Sequence, residues 1–451
     1  MMFWLTNGLV FFLLRLPSLF EPYWYGDEGI YLTLGQALRR GLTLYSQIYD
    51  NKPPLLYYLA ALGRTVFGFR LLLFLVMIPT VIYFYLLARK FFNHRLAAVS
   101  TFIFIIFTSI PLIEGNVANA EIFMLLPTIL AVYQWLNKKY FWSGVFFGLA
   151  FTLKAPVVIE AFFIFICLIL TQPAGQRRNI LFYLIGCSWP IILWTIYFFF
   201  KGAVKPFITA AIFQNFGYLS SWQTGSINHS PLNGGLTGRL LILLLVWGGL
   251  YWLLKKKLIS SKLVFLLGWL SACIFGSLLS GRPYPHYLIQ ILPPLFLLIG
   301  FWPYFILALS IIICLIFRYK FYFYPTIPYY RNFYFNHNNP SYYGEKVATT
   351  YKIAEYLKNN TNRAEPIFIW GDEPYIYALA DRLPVGRYTA AYHIIDLNAY
   401  EETIMALQQR RPKFIVYFSM ENRDFPQLDK FLNQNYLPLD QIGPALIFQL
   451  K

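Results

Sequence analysis

The sequence predicts a polytopic α-helical membrane protein of about eleven spans, closed by a small α/β domain. Three observations carry that reading. Only 13% of the 451 residues are charged, where soluble domains run at roughly 25%. The apolar residues, 58% of the total, fall in long blocks rather than in short alternating runs. From about Glu345 the composition changes, and strand-like runs alternate with helical patterns.

The first block, "MMFWLTNGLVFFLLRLPSLF", lacks a basic leading region and a small-residue cleavage site, so it is expected to be a retained first span. Further span centres are placed near Ile78, Ile105, Ile129, Phe147, Ile164, Ile191, Leu245, Gly268, Leu295 and Ile311. Loop charge then sets orientation. Arg89, Lys90 and Arg95, Lys138 and Lys139, Arg177 and Arg178, and Lys255 to Lys257 with Lys262 mark one set of connections; basic loops stay cytoplasmic. The other set faces out: Glu21 to Phe67, "EGNVANAE" (Glu114 to Glu121), Lys154, Lys201 to Arg239, and "GRPYPHY" (Gly281 to Tyr287). The uncommon polar residues therefore collect on the outer face.

Residues 1–320 form the expected membrane domain, with a first outer loop at 21–67. An aromatic interfacial linker covers 321–344, and a soluble outer domain covers 345–451. In that last part a helix through Val347 and Leu357 precedes the strand "PIFIW", helices follow around Tyr375 and Tyr400, and "KFIVYF" and "ALIFQL" supply further strands. The net charge of +17 does not imply nucleic acid, because the basic residues lie in short clusters between apolar blocks and no zinc-finger or RNA-binding signature is present. The four cysteines sit singly in apolar blocks and read as small buried hydrophobes.

The outer loop after the first span begins "YGDEG", with Asp27 and Glu28 adjacent. Ile30, Leu34, Ala37 and Leu38 share one face of an amphipathic helix that Gly41 would end. In the plain structural reading Asp27 caps this helix and Glu28 suits its first turn. A second "GDE", Gly371 to Glu373, is read as turn and cap. Downstream, "YDNKPPLLYYL" sets Asp50 two residues before Lys52, and Pro53 and Pro54 stiffen the entry to a new helix. Acids and a lysine at a membrane surface suit acid–base work beside an anion: a carboxylate accepts a proton from an attacking hydroxyl, and a lysine steadies charge on a departing phosphate.

Here the chain resembles the membrane glycosyltransferases of the GT-C fold, in the bacterial branch related to protein O-mannosyltransferases and the lipid A aminoarabinose transferase. The resemblance rests on "GDE" after the first span followed by "DNKPPLLYYL" and covers about residues 1–320. It implies transfer of a sugar, with inversion, from a polyprenyl-phosphate donor to an acceptor hydroxyl or amine on the extracytoplasmic face of the plasma (inner) membrane. The acceptor class, whether glycan, lipid or protein, stays open. Asp27 matches the family's catalytic acid, with Glu28 beside it, and Lys52 matches the lysine of its "KPP" element. Some relatives carry a metal-binding acid immediately before that lysine; here the position is Asn51 and the acid is Asp50. A divalent metal ion is therefore an open requirement.

Further residues join the same expectation as substrate contacts. Glu121 lies in "NAEIF", Lys154 in "GLAFTLKAP", and Arg282 with His286 in "GRPYPHYLIQILPPL". Lys154 suits a lipid phosphate, and His286 suits phosphate binding, proton transfer or metal ligation. Their plain alternatives are an exposed turn acid, a snorkelling lysine and an interfacial histidine. Glu160, about six residues into the span after Lys154, faces either a substrate cavity or a buried structural contact. Trp222 lies in an outer loop suited to a sugar contact or a lid. Two other functions fit the same composition: a transporter or flippase of lipid-linked saccharide, and a non-catalytic relative that binds such a lipid. No internal repeat of the kind transporters often show is visible.

Overall fold

A computed structural model describes residues 2–173, 177–215, 236–419 and 423–451. All eleven expected centres lie on helices. Five helices are long and apolar enough to cross a bilayer: Phe3–Phe20, Val66–Phe91, Arg177–Phe200, Leu236–Lys255 and Trp302–Tyr319. The remaining centres fall on shorter apolar helices, such as His94–Phe107, Ala120–Leu136 and Ser261–Ser277. Membrane location follows from these helices; length by itself supports spanning for five of the centres.

The chain divides into two compact units. The first comprises Met1–Pro17, Leu73–Tyr197 and Ala211–Tyr329. Its helices pack through ring contacts and small residues. Phe84 stacks on Phe104 at 4.1 Å between centroids, and Trp135 on Phe265 at 4.8 Å. A side chain on Gly144 would lie 2.1 Å from the Tyr183 carbonyl, so glycine there lets two apolar helices touch along their backbones, as helices in lipid commonly do. Arg15, buried at the end of the first helix, donates to the carbonyls of Thr108 and Gly115 (3.1 Å to the latter). It thereby secures the turn that presents Glu114.

The second unit comprises Ser18–Leu72, Phe198–Ala210 and Tyr330–Lys451. It joins the loop after the first helix to the C-terminal domain. The loop opens with the expected helix, Gly26–Arg39, which ends at Gly41 with φ +87°. Tyr25 occupies the N-cap and no side chain caps the helix, so Asp27 lies inside the first turn and is not the cap. Gly35 meets the helix Leu55–Gly63: a Cβ on it would stand 2.6 Å from the Ala61 nitrogen. On another face Thr33 donates to the Pro374 carbonyl at 2.8 Å, and Gln36 to that of Arg382 at 3.1 Å.

The C-terminal domain holds a four-stranded sheet in the order β1-β2-β4-β3, from β1 (Phe368–Trp370), β2 (Phe414–Phe418), β3 (Tyr436–Ile442) and β4 (Ala445–Leu450). β1 and β2 run parallel, joined through helices; β4 is antiparallel to both β2 and β3. Ile353, Leu357, Ile369, Phe414, Val416 and Ile447 form its core. β3 was not anticipated. It is a mostly exposed strand with an irregularity between Pro438 and Asp440, so the two-residue alternation that marks a half-buried strand is missing. The helix Ala391–Asp396 was missed as well. The second "GDE" does not cap the helix that follows it: Asp372 accepts at 3.2 Å from the Tyr392 backbone N–H in the first turn of Ala391–Asp396 and pairs with Arg423, while Glu373 pairs with Lys346 at 2.8 Å.

Candidate active site

The helix Gly26–Arg39 places Asp27 and Glu28 on different partners. The Asp27 carboxylate lies 3.4 Å from the Lys52 ammonium and accepts from the Tyr31 hydroxyl, one turn along, at 3.0 Å. Lys52 is also 3.9 Å from Asp50 and lies over the Tyr31 ring. Asp27, Lys52 and Asp50 therefore form one cluster. Their side chains are 31%, 16% and 1% exposed, so Asp27 is the member a substrate reaches.

Asp50 is the buried anchor of the group. Its carboxylate accepts from Tyr57 at 2.8 Å and from the Asn51 backbone at 2.7 Å. Burial alone would raise this carboxyl. Lys52, His393 and Tyr57 together outweigh that and hold it well below the usual carboxylate range. The same burial, with the Asp50 charge nearby, pushes the Tyr57 hydroxyl well up, so Tyr57 stays a hydrogen-bond donor.

His393, from the missed helix, was not anticipated as a site residue. Its Nε2 is 3.3 Å from the second Asp50 oxygen, inside ion-pair distance but off hydrogen-bond geometry. The ring is buried edge-to-face against Tyr49. Its Nδ1 has no hydrogen-bond partner among the described residues. A lone histidine far along the chain carries no local signal, and only the fold brings it to the first loop.

Glu28 stands apart from this cluster. It is buried and receives two bonds from Arg70, at 2.8 and 2.6 Å. Arg70 also pairs with Glu21 at 2.7 Å and donates to the Ser18 carbonyl. One guanidinium thus neutralises two buried carboxylates, an arrangement that braces the loop. The visible signal was a single arginine in the apolar run "FGFRLLLF".

A second cluster lies in the first unit. Lys154 pairs with Glu121 at 2.6 Å and sits over the Tyr287 ring. His286 Nε2 is 3.8 Å from Glu121, and its Nδ1 contacts the Glu114 carboxylate. Glu121, Glu114 and His286 are all buried, so the exposed-acid and interfacial-histidine alternatives do not describe them. Glu114 holds φ +61°, a conformation uncommon outside glycine. Glu121, Lys154, Tyr287, Gln290, Ser277 and Ser280 help line one small, partly open cleft. Arg282 is half-buried at the start of the same segment, and its backbone N–H donates to Ser280 at 3.3 Å.

Glu160 is fully buried and accepts from Trp269 and from Gln290, both at 2.6 Å. That is the structural contact the sequence left open, and it holds Gln290, a residue of the cleft wall. Trp222 lies outside the described residues. Among those described, no group of three or more His, Cys, Asp or Glu side chains is placed to hold a metal ion. Asp50 and His393 offer only two donors, and the Lys52 ammonium already stands beside the same carboxylate. That donor set does not fit a divalent cation.

The structure of ArnT from Cupriavidus metallidurans bound to undecaprenyl phosphate is similar to the chain with a TM-score of 0.61. The match covers 99% of this chain and 97% of that one, at 14% identity. The apo form of the same protein gives 0.60 at 13% identity, over 98% and 97%. The chain has the GT-C fold. Residues 51–198 also match the family described as dolichyl-phosphate-mannose-protein mannosyltransferase. That segment begins within the "NKPP" element and carries Lys52, Glu121 and Lys154. No curated protein sequence matches the chain. On this GT-C fold, Asp27 precedes the matched segment, while His286 and His393 follow it.

Proposed function

We propose that the chain is an integral-membrane glycosyltransferase that moves a sugar from a polyprenyl-phosphate donor to an acceptor hydroxyl or amine, with inversion, on the extracytoplasmic face of the inner membrane. One observation carries the reading: on a GT-C fold, a part-exposed Asp27 sits 3.4 Å from Lys52, in the loop that follows the first apolar helix. The solved relative whose structure holds undecaprenyl phosphate supports the donor class.

Asp27 accepts the proton of the acceptor group. The acceptor atom bonds to the anomeric carbon, the bond from that carbon to the phosphate oxygen breaks, and the polyprenyl phosphate leaves with the electron pair. Lys52 is shared between Asp27 and Asp50. The donor phosphate competes for that ammonium, which frees Asp27 to work as the base and neutralises the leaving group. Asp50 positions Lys52. Glu28 is assigned a bracing role through Arg70 in place of direct catalysis. Within the first unit, Lys154, Arg282 and His286 are assigned as substrate contacts, with Glu121 positioning Lys154.

The test is turnover of purified Asp27→Asn with a defined polyprenyl-phosphate sugar in detergent. Loss of a general base costs about 10² to 10⁴ in rate, and that range is expected here. Near-wild-type turnover would overturn the role of Asp27. Sugar transfer in detergent, with no membrane to cross, also separates an enzyme from a flippase.

A further inference from the structure

Five arginines of the second unit gather where the first outer loop meets the C-terminal domain. Arg40 and Arg363 share one carboxylate, Asp381, at 2.5 and 2.6 Å. Arg382 is held by neutral oxygens, including Thr361 Oγ1 at 2.7 Å and the Lys358 carbonyl at 3.1 Å. Arg39 donates to the Ala61 carbonyl at 3.1 Å, which brings its guanidinium to the end of the helix that Arg64 terminates. Asp381 and Glu365 are the acids acting on this group, so cations exceed anions by three. Arg39 and Arg64 are exposed, and neither has a carboxylate partner among the described residues.

Further facts point to a ligand at the bilayer surface. Arg64 lies two residues before Val66–Phe91, a helix long and apolar enough to span. Leu62 and Phe67, on either side of it, are 67% and 47% exposed, and Phe67 faces the exposed Phe20. Arg64 also holds φ +65°, a conformation that favours glycine; keeping an arginine there implies a use for its side chain. Arg39 is exposed at its surface but partly shielded from water, and that shielding and then the Arg64 charge disfavour its proton. An anion between the two would relieve that repulsion. A basic cluster is also unneeded for orientation on a loop expected to face out, since retention signals belong to the cytoplasmic side.

We propose that this cluster is a docking surface for the phosphate headgroup of an anionic membrane lipid, with Arg39 and Arg64 as its principal ligands and Leu62 and Phe67 entering the acyl boundary. The inference does not depend on sugar transfer. The planar guanidinium suits phosphate, and each basic residue near an anionic surface contributes about fivefold in binding.

The full chain, stripped of lipid in detergent, would be given equimolar phosphatidylglycerol and phosphatidylcholine with the same acyl chains, and bound lipids counted by native mass spectrometry. The wild type is expected to retain phosphatidylglycerol preferentially. Arg39→Gln with Arg64→Gln should lower that preference by about tenfold or more. Arg39→Lys with Arg64→Lys, which keeps the charge and guards against a folding artefact, should retain most of it. Lys352→Gln with Lys430→Gln, exposed charges elsewhere on the domain, should leave it unchanged. Raising salt from about 0.05 to 0.5 M should weaken it. No preference in the wild type, or an unchanged preference in the double glutamine variant, overturns the proposal. So does displacement of the lipid by millimolar inorganic phosphate, which would make this a soluble-anion site.

Discussion

Asp50 is the residue on which the first cluster turns. It is the buried member, and it ties Lys52, Tyr57 and His393 to one carboxylate. A carboxyl lowered in the folded state stabilises above its unfolded value, about 3.9, and that stability is lost as pH falls towards the folded value. Thermal melts of wild type and Asp50→Asn should therefore differ by a constant margin from neutral pH to about pH 4, with wild type the more stable. The margin should then narrow as the pH is lowered further. A gap that widened on acidification would contradict the lowered carboxyl. His393 acts through Asp50, so His393→Leu should raise the donor KM by about tenfold, equivalent to roughly 1.4 kcal/mol, while His393→Gln, which keeps a donor near Nε2, recovers most of it. Hydrogen exchange of the peptide spanning Tyr49 to Leu56 should rise in the leucine variant and not in the glutamine variant, whatever the reaction. The adjacent acids Asp27 and Glu28 read alike in the sequence. They diverge in the fold because consecutive positions on a helix point about 100° apart, one to Lys52 and the other to Arg70.

At the scale of elements, the first-loop helix was legible because its apolar spacing and Gly41 are local signals. The helix Ala391–Asp396 was not: six residues are too few for a period to show. β3 was hidden by Pro438 and by its exposure on both faces. These misses matter for the site, because the unread helix carries His393. Close packing makes the loop helix sensitive at Gly35, where a methyl group would meet backbone at 2.6 Å. Gly35→Ala should cost about 1–3 kcal/mol, seen as a lower thermal midpoint together with faster exchange in residues 55–63. Unchanged stability would mean that the two helices are not in contact there.

At the scale of the whole molecule, the clearest prediction is topological. A cysteine placed at exposed Ser46 or Gln47 should react with an impermeant maleimide added outside intact cells, and one placed at exposed Lys256 only after lysis. The reverse pattern would put the first loop on the cytoplasmic side and remove the proposed acceptor face. Chelation should leave turnover within about twofold, since Asp50 and His393 alone are too few donors for a hard divalent ion; a tenfold loss restored by metal would show that the loop rearranges around one. The amino-acid sequence by itself determined the membrane class, the helices at the expected centres, and the acid and lysine elements of the first loop, because composition, periodicity and short spacings act locally along the chain. Only the tertiary structure decided that Asp27 lies against Lys52, that Glu28 belongs to Arg70, that Glu114 meets His286, and that His393 reaches Asp50. Each of these is a choice of partner, and pairing a buried charge depends on which surfaces meet across tens or hundreds of residues, something no window of sequence contains.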